Sequence, residues 1–295
     1  MKIGFIGLGA MGVPMAINLV KAGHAVRGFD TRAGAADALA AAGGEGASSA
    51  ADAAQGAELL WLMVVSGEQA EAVLFEHGAA AALPQRAIVG LGCTQAPANA
   101  ARTAERLAAM GLSTLDAPVS GGTKGANAAA LTIMCSGEAA VLQRARPALD
   151  AMGSRVFDCG RAPGMGSTAK MINQLLCGVH IAAAAEAMHL AERAGVSTAT
   201  MHEIIGVSAG NSWMWGDRGP RMMQADPAVT SAVDIFVKDL GIVLGEARAL
   251  KAGLPLSAAA MQMFLAASGL GHGAADDSQV IRAYRALNGA GAKPR

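Results

Sequence analysis

The first thirty residues leave this chain little freedom of fold. Lys2-Ile3-Gly4-Phe5-Ile6 is a short apolar run with strand character, and it passes straight into Gly7-Leu8-Gly9-Ala10-Met11-Gly12. A helical pattern through Met15, Leu19 and Val20 ends at Gly23, and a second strand-like run, Ala25 to Phe29, is closed by Asp30. Strand, glycine-rich turn, helix and strand in that order predict a βαβ unit. The glycines allow a tight turn and bring a pyrophosphate close to a helix N-terminus, where N–H groups lack intrahelical partners. A Gly-x-Gly-x-x-Gly alone also occurs in ordinary loops. Here it joins a strand to a helix, and Asp30 stands 18 positions after Gly12, near the ~20 expected of a ribose acceptor. A dinucleotide is therefore expected on residues 7–12, with the Asp30 carboxylate on the adenosine ribose. Asp30 would repel a 2′-phosphate and favours NAD; Arg32 is placed to pair with such a phosphate, which keeps NADP as the less favoured cofactor.

Short apolar strands and alanine-rich helices then alternate, with strands predicted at Leu59–Val65, Arg86–Leu91, Leu112–Asp116, Leu131–Ser136 and Arg155–Asp158. This alternation predicts a Rossmann-type doubly wound, mainly parallel sheet covered on both faces, over residues 1–162. Ligands of such sheets lie beyond the carboxyl ends of the strands. Met63, Val64, Val65 and Thr94 are thus expected at the cofactor; Thr94 reads equally as the cap of a helix beginning near Gln95. In Asp116-Ala-Pro-Val-Ser-Gly-Gly-Thr-Lys-Gly-Ala126, Pro118, Gly121 and Gly122 argue against a regular element. Consecutive N–H groups there, with the Ser120 and Thr123 hydroxyls, suit a carboxylate, although the spacing fits a plain crossover loop as well.

After Arg161-Ala-Pro-Gly the strand period disappears, and residues 163–295 read as an all-helical domain with breaks at 195, 206–211, 216–220, 226–227, 253–255 and 269–273. Its spine is a helical pattern over Gly164–Gly195, opened by two glycines and Ser167 as N-cap and closed by Gly195. Lys170, Asn173 and Gln174 share one face of it, at i, i+3 and i+4. That trio suits the binding and deprotonation of a hydroxyl; the plain alternative is a solvated surface lysine. Ala182 to Ala185, Leu190 and Ala191 make the helix apolar on several faces, which predicts a homodimer or homotetramer packed along 166–194. Trp213 and Trp215 read as helical core, with a place at the pocket or at a subunit contact as the alternative.

The charge balance, 23 basic against 23 acidic residues, gives no sign of a nucleic-acid or anionic-membrane partner. Cys93, Cys135, Cys159 and Cys177 have no metal-type spacing and read as buried free thiols, and the scattered histidines predict no metal. The first strand begins at Lys2, so no leader is expected, and Asn173, Gln174 and His180 interrupt the apolar run at 171–185. These features predict a soluble cytoplasmic protein.

Four motifs in order, GFIGLGAMG at the start, DAPVSGGTKGA at 116–126, GMGSTAKMINQ at 164–174 and FVKDLG at 236–241, carry a resemblance over nearly the whole chain. It resembles the β-hydroxyacid dehydrogenase family, which includes 3-hydroxyisobutyrate dehydrogenase and tartronate semialdehyde reductase. INQLLCGVHIAAAAEAM, AGNSWMW at 209–215, SAVDIFVKDLG at 231–241 and DDSQVI at 276–281 are most similar to its L-threonate dehydrogenase branch. The resemblance implies a Rossmann domain followed by a helical domain built on one long interdomain helix, with NAD-dependent oxidation of a small hydroxy acid. It implies that Lys170 is catalytic, that Asn173 orients the reacting hydroxyl, and that Ser120, Gly121 and Gly122 hold the substrate carboxylate. Lys238 would reach cofactor and substrate, with Asp239 beside it. Gln174 departs from the pattern, where many relatives have a second asparagine. A lysine is a poor base at its free pKa of ~10.4, and desolvation beside oxidised nicotinamide favours the neutral amine. A semialdehyde reductase preferring NADPH is the alternative that Arg32 would help.

Overall fold

The computed structural model describes residues 1–289; the end of the predicted helical domain, 290–295, lies outside the described residues. The chain falls into two compact units, Met1–Met171 and Ile172–Arg295. The described strands and main helices of the first are β1 (Lys2–Ile6), α1 (Gly12–Lys21), β2 (Ala25–Phe29), β3 (Glu45–Gly46), β4 (Leu59–Leu62), β5 (Ile88–Leu91), α2 (Pro97–Ala109), β6 (Ser113–Asp116), β7 (Val119–Ser120), α3 (Gly122–Asn127), β8 (Leu131–Cys135), α4 (Ala139–Met152) and β9 (Gly153–Asp158). Shorter helical turns fill the other connections.

Six strands form one parallel sheet in the order β3-β2-β1-β4-β5-β6. The chain starts in the middle, winds to one edge and returns to build the other, and the reversal between β1 and β4 opens a crevice at their carboxyl ends. β4 shows why the pattern holds. Leu59 and Trp61 enter one apolar layer with Phe5, Met15 and Leu19, while Leu60 and Leu62 enter the opposite layer with Ala53, Leu74 and Leu107. All four are 0% exposed, so the strand reads as a continuous apolar run. The Trp61 ring lies across β5, where a Cβ on Gly90 would come within 2.5 Å of it.

The last two predicted strands do not join this sheet. β7, β8 and β9 form a separate three-stranded sheet, β7 antiparallel and β9 parallel to β8, and a lone bridge pairs Asp116 with Ser136. The reason lies in the stretch after β6. Pro118 accepts from Met134 N–H at 3.0 Å and swings Val119–Ser120 onto Thr132–Ile133. Gly121 (φ +130°) and Gly122 (φ +60°) then turn the chain into α3. Residues 116–126 therefore contain a short strand and a short helix, because the proline and glycines mark their ends. β4 also stops at Leu62, short of Val65, which leaves Met63–Val65 in the loop beyond it.

α5 (Met165–Ala194) has 30 residues, a rod of about 45 Å. It is followed by α6 (Thr198–Gly206), α7 (Trp213–Met222), α8 (Val233–Ala249), α9 (Pro255–Ala267) and α10 (Ile281–Leu287). Gly195 closes α5 at φ +73°, a left-handed conformation that glycine adopts without strain. α7 runs unbroken through Gly216–Pro220; the bond that Pro220 cannot make falls in the last turn, two residues before Met222. Ile181, Met188, Trp215, Phe236, Leu240 and Phe264 build the core of the second unit. Trp215 is 3% exposed and Trp213 62%, so only the former is core. Arg218 grips both oxygens of Asp277, at 2.7 and 2.8 Å, and pins the segment after 275 to α7. By length and composition α5 is the one described helix able to cross a membrane, yet half of its most apolar window is buried, as in a core helix.

Candidate active site

Each glycine of the first turn answers a different constraint. Gly7 has φ +96°, and a Cβ there would lie 2.3 Å from the Met63 carbonyl oxygen; one on Gly12 would lie 1.8 Å from the Gly7 carbonyl oxygen. On Gly9 it would meet nothing within 4 Å. Two glycines thus close the turn and the third leaves its apex bare, as the approach of a pyrophosphate requires. Leu8, Ala10 and Met11 lie within the turn. Asp30, at the end of β2, accepts from Leu8 N–H at 2.8 Å, and from the N–H and Nε of Arg32 at 2.9 and 3.0 Å. Burial works to raise the Asp30 pKa, but these donors prevail and hold it below the ordinary carboxylate value. The Arg32 side chain is 64% exposed and also donates to the Leu8 carbonyl. Beside them opens a concavity of about 280 Å³ bordered by Asp30, Arg32, Asp37 and Ala47.

Met63, Val64, Val65 and Thr94 follow the carboxyl ends of β4 and β5, on the same edge of the sheet. Thr94 does not cap the next helix: α2 starts at Pro97 with Ala96 at its cap position. Ser120 ends β7, and Gly121 and Gly122 follow in left-handed conformations. A Cβ on Gly122 would meet open space.

Asp116, at the end of β6, is 0% exposed. Its carboxylate accepts from Gly164 N–H (3.0 Å), Ser167 N–H (2.8 Å), Ser167 Oγ (2.7 Å) and Ser136 Oγ (3.2 Å). Ser136 Oγ accepts in turn from Gly166 N–H at 2.9 Å. Orphan donors at the start of α5 are thus satisfied from another part of the chain. Ser167 lies inside the helix and is not its N-cap. A Cβ on Gly166 would stand 2.4 Å from the Met134 carbonyl oxygen, so GMGS lets the helix start press against the backbone of β8. Burial pushes the Asp116 pKa up, against the pull of its four donors. Lys170 follows Ser167 by three residues and is 7% exposed, which excludes a solvated surface lysine.

In the second unit, Asn173, Gln174, Lys238 and Asp239 form one hydrogen-bonded chain. Lys238 Nζ donates to Asp239 Oδ1 at 2.6 Å, and Gln174 Nε2 to Asp239 Oδ2 at 2.5 Å. Asn173 Nδ2 donates to Gln174 Oε1 at 2.9 Å and to Cys177 Sγ at 3.4 Å. Gln174 and Asp239 are 65 residues apart in sequence and both are buried. Neither this link nor the Asp116 clamp is predicted by the spacing, although Asp116 opens a quoted motif and Gln174 is its point of departure. No three metal-ligating side chains cluster among the described residues. Cys93 and Cys135 are buried and in no disulfide; Cys159 and Cys177 are partly exposed, so the burial expected of all four holds for two.

Residues 2–160 match the NAD binding domain of 6-phosphogluconate dehydrogenase, and 164–284 match the NAD-binding domain of NADP-dependent 3-hydroxyisobutyrate dehydrogenase. L-threonate dehydrogenase of Cupriavidus necator is 48% identical, over 96% of each chain. 3-Hydroxyisobutyrate dehydrogenase of Pseudomonas aeruginosa is 38% identical, over 96% of this chain and 98% of its own. The crystal structure of 3-hydroxyisobutyrate dehydrogenase from Salmonella typhimurium superposes with a TM-score of 0.90 at 43% identity, over 95% of this chain and 98% of its own. A dinucleotide fold with its glycine turn intact, a helical unit after it, and near full-length identity at this level have one consistent source. The chain belongs to the β-hydroxyacid dehydrogenase family of NAD-dependent oxidoreductases, in its 3-hydroxyisobutyrate dehydrogenase-like group.

Proposed function

We propose that the chain oxidises a small hydroxy acid with NAD, converting L-threonate to 2-oxo-tetronate (2-dehydro-L-erythronate), with Lys170 as general acid/base. The observation that carries this reading is the burial of Lys170, at 7% exposure, one helical turn before Asn173. Lysines are almost never held out of water unless paired or given a chemical task. The names of the relatives at 40–48% identity supply the substrate.

The dinucleotide would be held by Gly7 to Gly12, Asp30, Met63 to Val65, Thr94 and Lys238, and when bound it supplies hydride acceptance at the nicotinamide. Ser120, Gly121 and Gly122 hold the substrate carboxylate, and Lys238 and Asp239 border the substrate. Asn173 fixes the reacting hydroxyl, and Lys170 Nζ takes its proton as the C–H bond breaks; in reverse the ammonium returns that proton to the carbonyl oxygen. The cofactor domain is assigned to 1–162 and the substrate and oligomerisation domain to 163–295. Ile172, Leu176 and Leu190, all 49% exposed or more, support a homodimer or homotetramer along 166–194. Four cysteines outside any disulfide fit a cytoplasmic location.

The test is a steady-state screen of L-threonate, erythronate, glycerate, 3-hydroxyisobutyrate and tartronate semialdehyde with each cofactor. Threonate with NAD should give the highest kcat/KM; no turnover of threonate beside efficient turnover of another compound refutes the substrate. The exposed Arg32 guanidinium favours one second reading, an NADPH-preferring semialdehyde reductase, which the same screen separates.

A further inference from the structure

We propose that Asn18, on the helix that follows the glycine turn, is a positioning residue for the substrate carboxylate: its amide holds α3, and so fixes the Ser120–Gly122 turn relative to α1. This rests on the reading of Ser120, Gly121 and Gly122 as the holders of that carboxylate.

Asn18 is an unexpected residue type for its position. Asparagine is among the weaker helix formers, and this one lies within α1 on the buried stripe of Met15, Ala16 and Leu19, itself 9% exposed. A buried amide is unfavourable there unless it has a partner, and an apolar side chain would need none. The partner is 108 residues away: Asn18 Nδ2 donates to the Ala126 carbonyl at 2.7 Å.

α3 depends on that bond. It has six residues and no side-chain cap at its start, too short to keep its own shape in water. Its other late carbonyls are satisfied within the segment: Thr123 accepts from Asn127 Nδ2 at 2.7 Å, Lys124 from Ala128 N–H at 3.2 Å and Gly125 from Ala130 N–H at 2.9 Å. The Ala126 carbonyl meets Ala129 N–H at a long 3.4 Å, and its short bond comes from α1. Apolar packing supplies the other restraint. Gly121 and Gly125 lie against Leu131, where a Cβ on them would stand 3.2 and 3.3 Å from its Cδ2. Such packing is non-directional and lets a short helix roll, whereas a hydrogen bond sets its angle. Asn18 stands about 9 Å along α1 from Gly12, and Ala126 about 6 Å along α3 from Gly122. One bond between two short arms thus ties the glycine turn of the dinucleotide to the turn assigned to the carboxylate.

The experiment removes the donor and then restores it by pH. Asn18→Leu keeps the branched shape and loses the N–H; Asn18→Asp sets a carboxylate oxygen against the carbonyl until protonation turns it into a donor. At pH 9 each should raise the KM of the hydroxy acid oxidised fastest in the screen by about tenfold or more, with kcat within about threefold and the Kd for NAD within about twofold. From pH 9 to 6 the KM deficit of Asn18→Asp relative to the parent should shrink about threefold or more, because burial favours the protonated carboxyl, while that of Asn18→Leu stays constant. A merely structural role moves both variants alike. Either variant carries the kinetic test if the other does not fold. Amide exchange, read by nitrogen-15 NMR, should speed up about tenfold or more at Gly125, Ala128 and Ala130 in Asn18→Leu and stay unchanged in β1. An unchanged KM, a Kd for NAD that rises as much as KM, a deficit of Asn18→Asp that acid does not relieve, or exchange in α3 indifferent to Asn18 overturns the proposal. Ser120→Ala separates the premise from the inference. If that variant keeps its KM, the carboxylate reading fails, and amide exchange alone still decides whether Asn18 holds α3.

Discussion

Replacing Asp116 should cost this protein more stability than almost any other single polar change. Four donors converge on its carboxylate, and two of them, the N–H groups of Gly164 and Ser167, are backbone groups that cannot turn elsewhere. The hydroxyls of Ser136 and Ser167 can rotate toward other acceptors. Asp116→Ala therefore orphans two buried N–H groups, each about 1–3 kcal/mol, and removes a charge-assisted anchor from the helix start; the total is about 3–5 kcal/mol after relief of the buried charge. Asp116→Asn keeps one acceptor oxygen but turns an N–H₂ toward the remaining donors, for a loss of about 1–3 kcal/mol. Urea unfolding at neutral pH, with m held common, measures both. The pH dependence has a definite sign. The Asp116 pKa is raised in the folded state, mainly by burial, so folding favours its protonated form. The stability this group contributes is full below its unfolded pKa of about 4 and declines as pH rises through the folded value, so the margin of the parent over Asp116→Asn should narrow between acid and neutral pH. A loss below about 1 kcal/mol for Asp116→Ala, or a margin that widens with pH, refutes the reasoning.

Four further outcomes follow from the site. Lys170→Met should lower kcat by about a thousandfold while NAD binding, followed by protein fluorescence, stays within a factor of about three. Gly9→Ala should leave the melting temperature unchanged and weaken NAD binding about tenfold or more, whereas Gly12→Ala, whose Cβ would stand 1.8 Å from a carbonyl oxygen, should destabilise the first unit itself. Asp30→Ala should shift the NAD to NADP preference toward NADP by about tenfold or more. Because the Asp30 pKa is lowered, with its donors outweighing burial, NAD affinity of the parent should stay flat as pH falls from 8 to about 5.

What could be read from the sequence was what local geometry dictates. Gly7 and Gly12 are fixed by contacts within their own turn, and β4 by burial on both faces, so pattern and structure coincide there. Length and periodicity likewise mark the long helix. What escaped depends on partners distant in sequence. Val119–Ser120 forms a strand only because Thr132–Ile133 lies opposite, and nothing in Pro118-Val-Ser-Gly signals that pairing. Ser167 has the residue type of a cap, yet its hydroxyl serves Asp116, 51 residues earlier. Gln174 stands out as a departure, but its meaning requires Asp239. Thr94 was ambiguous for a simpler reason: Pro97 at the first helical position sets the start of α2 without a side-chain cap.

The three tryptophans are spread so that each unit carries its own optical probe. Trp61, on β4, is fully buried in the first, Trp215 lies stacked on His202 in the second, and Trp213 stands largely in solvent. Replacing Trp213 by phenylalanine would leave two shielded indoles, one reporting on each core. Emission spectra of Trp61→Phe and Trp215→Phe on that background would then tell whether heat or urea melts the two halves of this chain in a single step or one after the other.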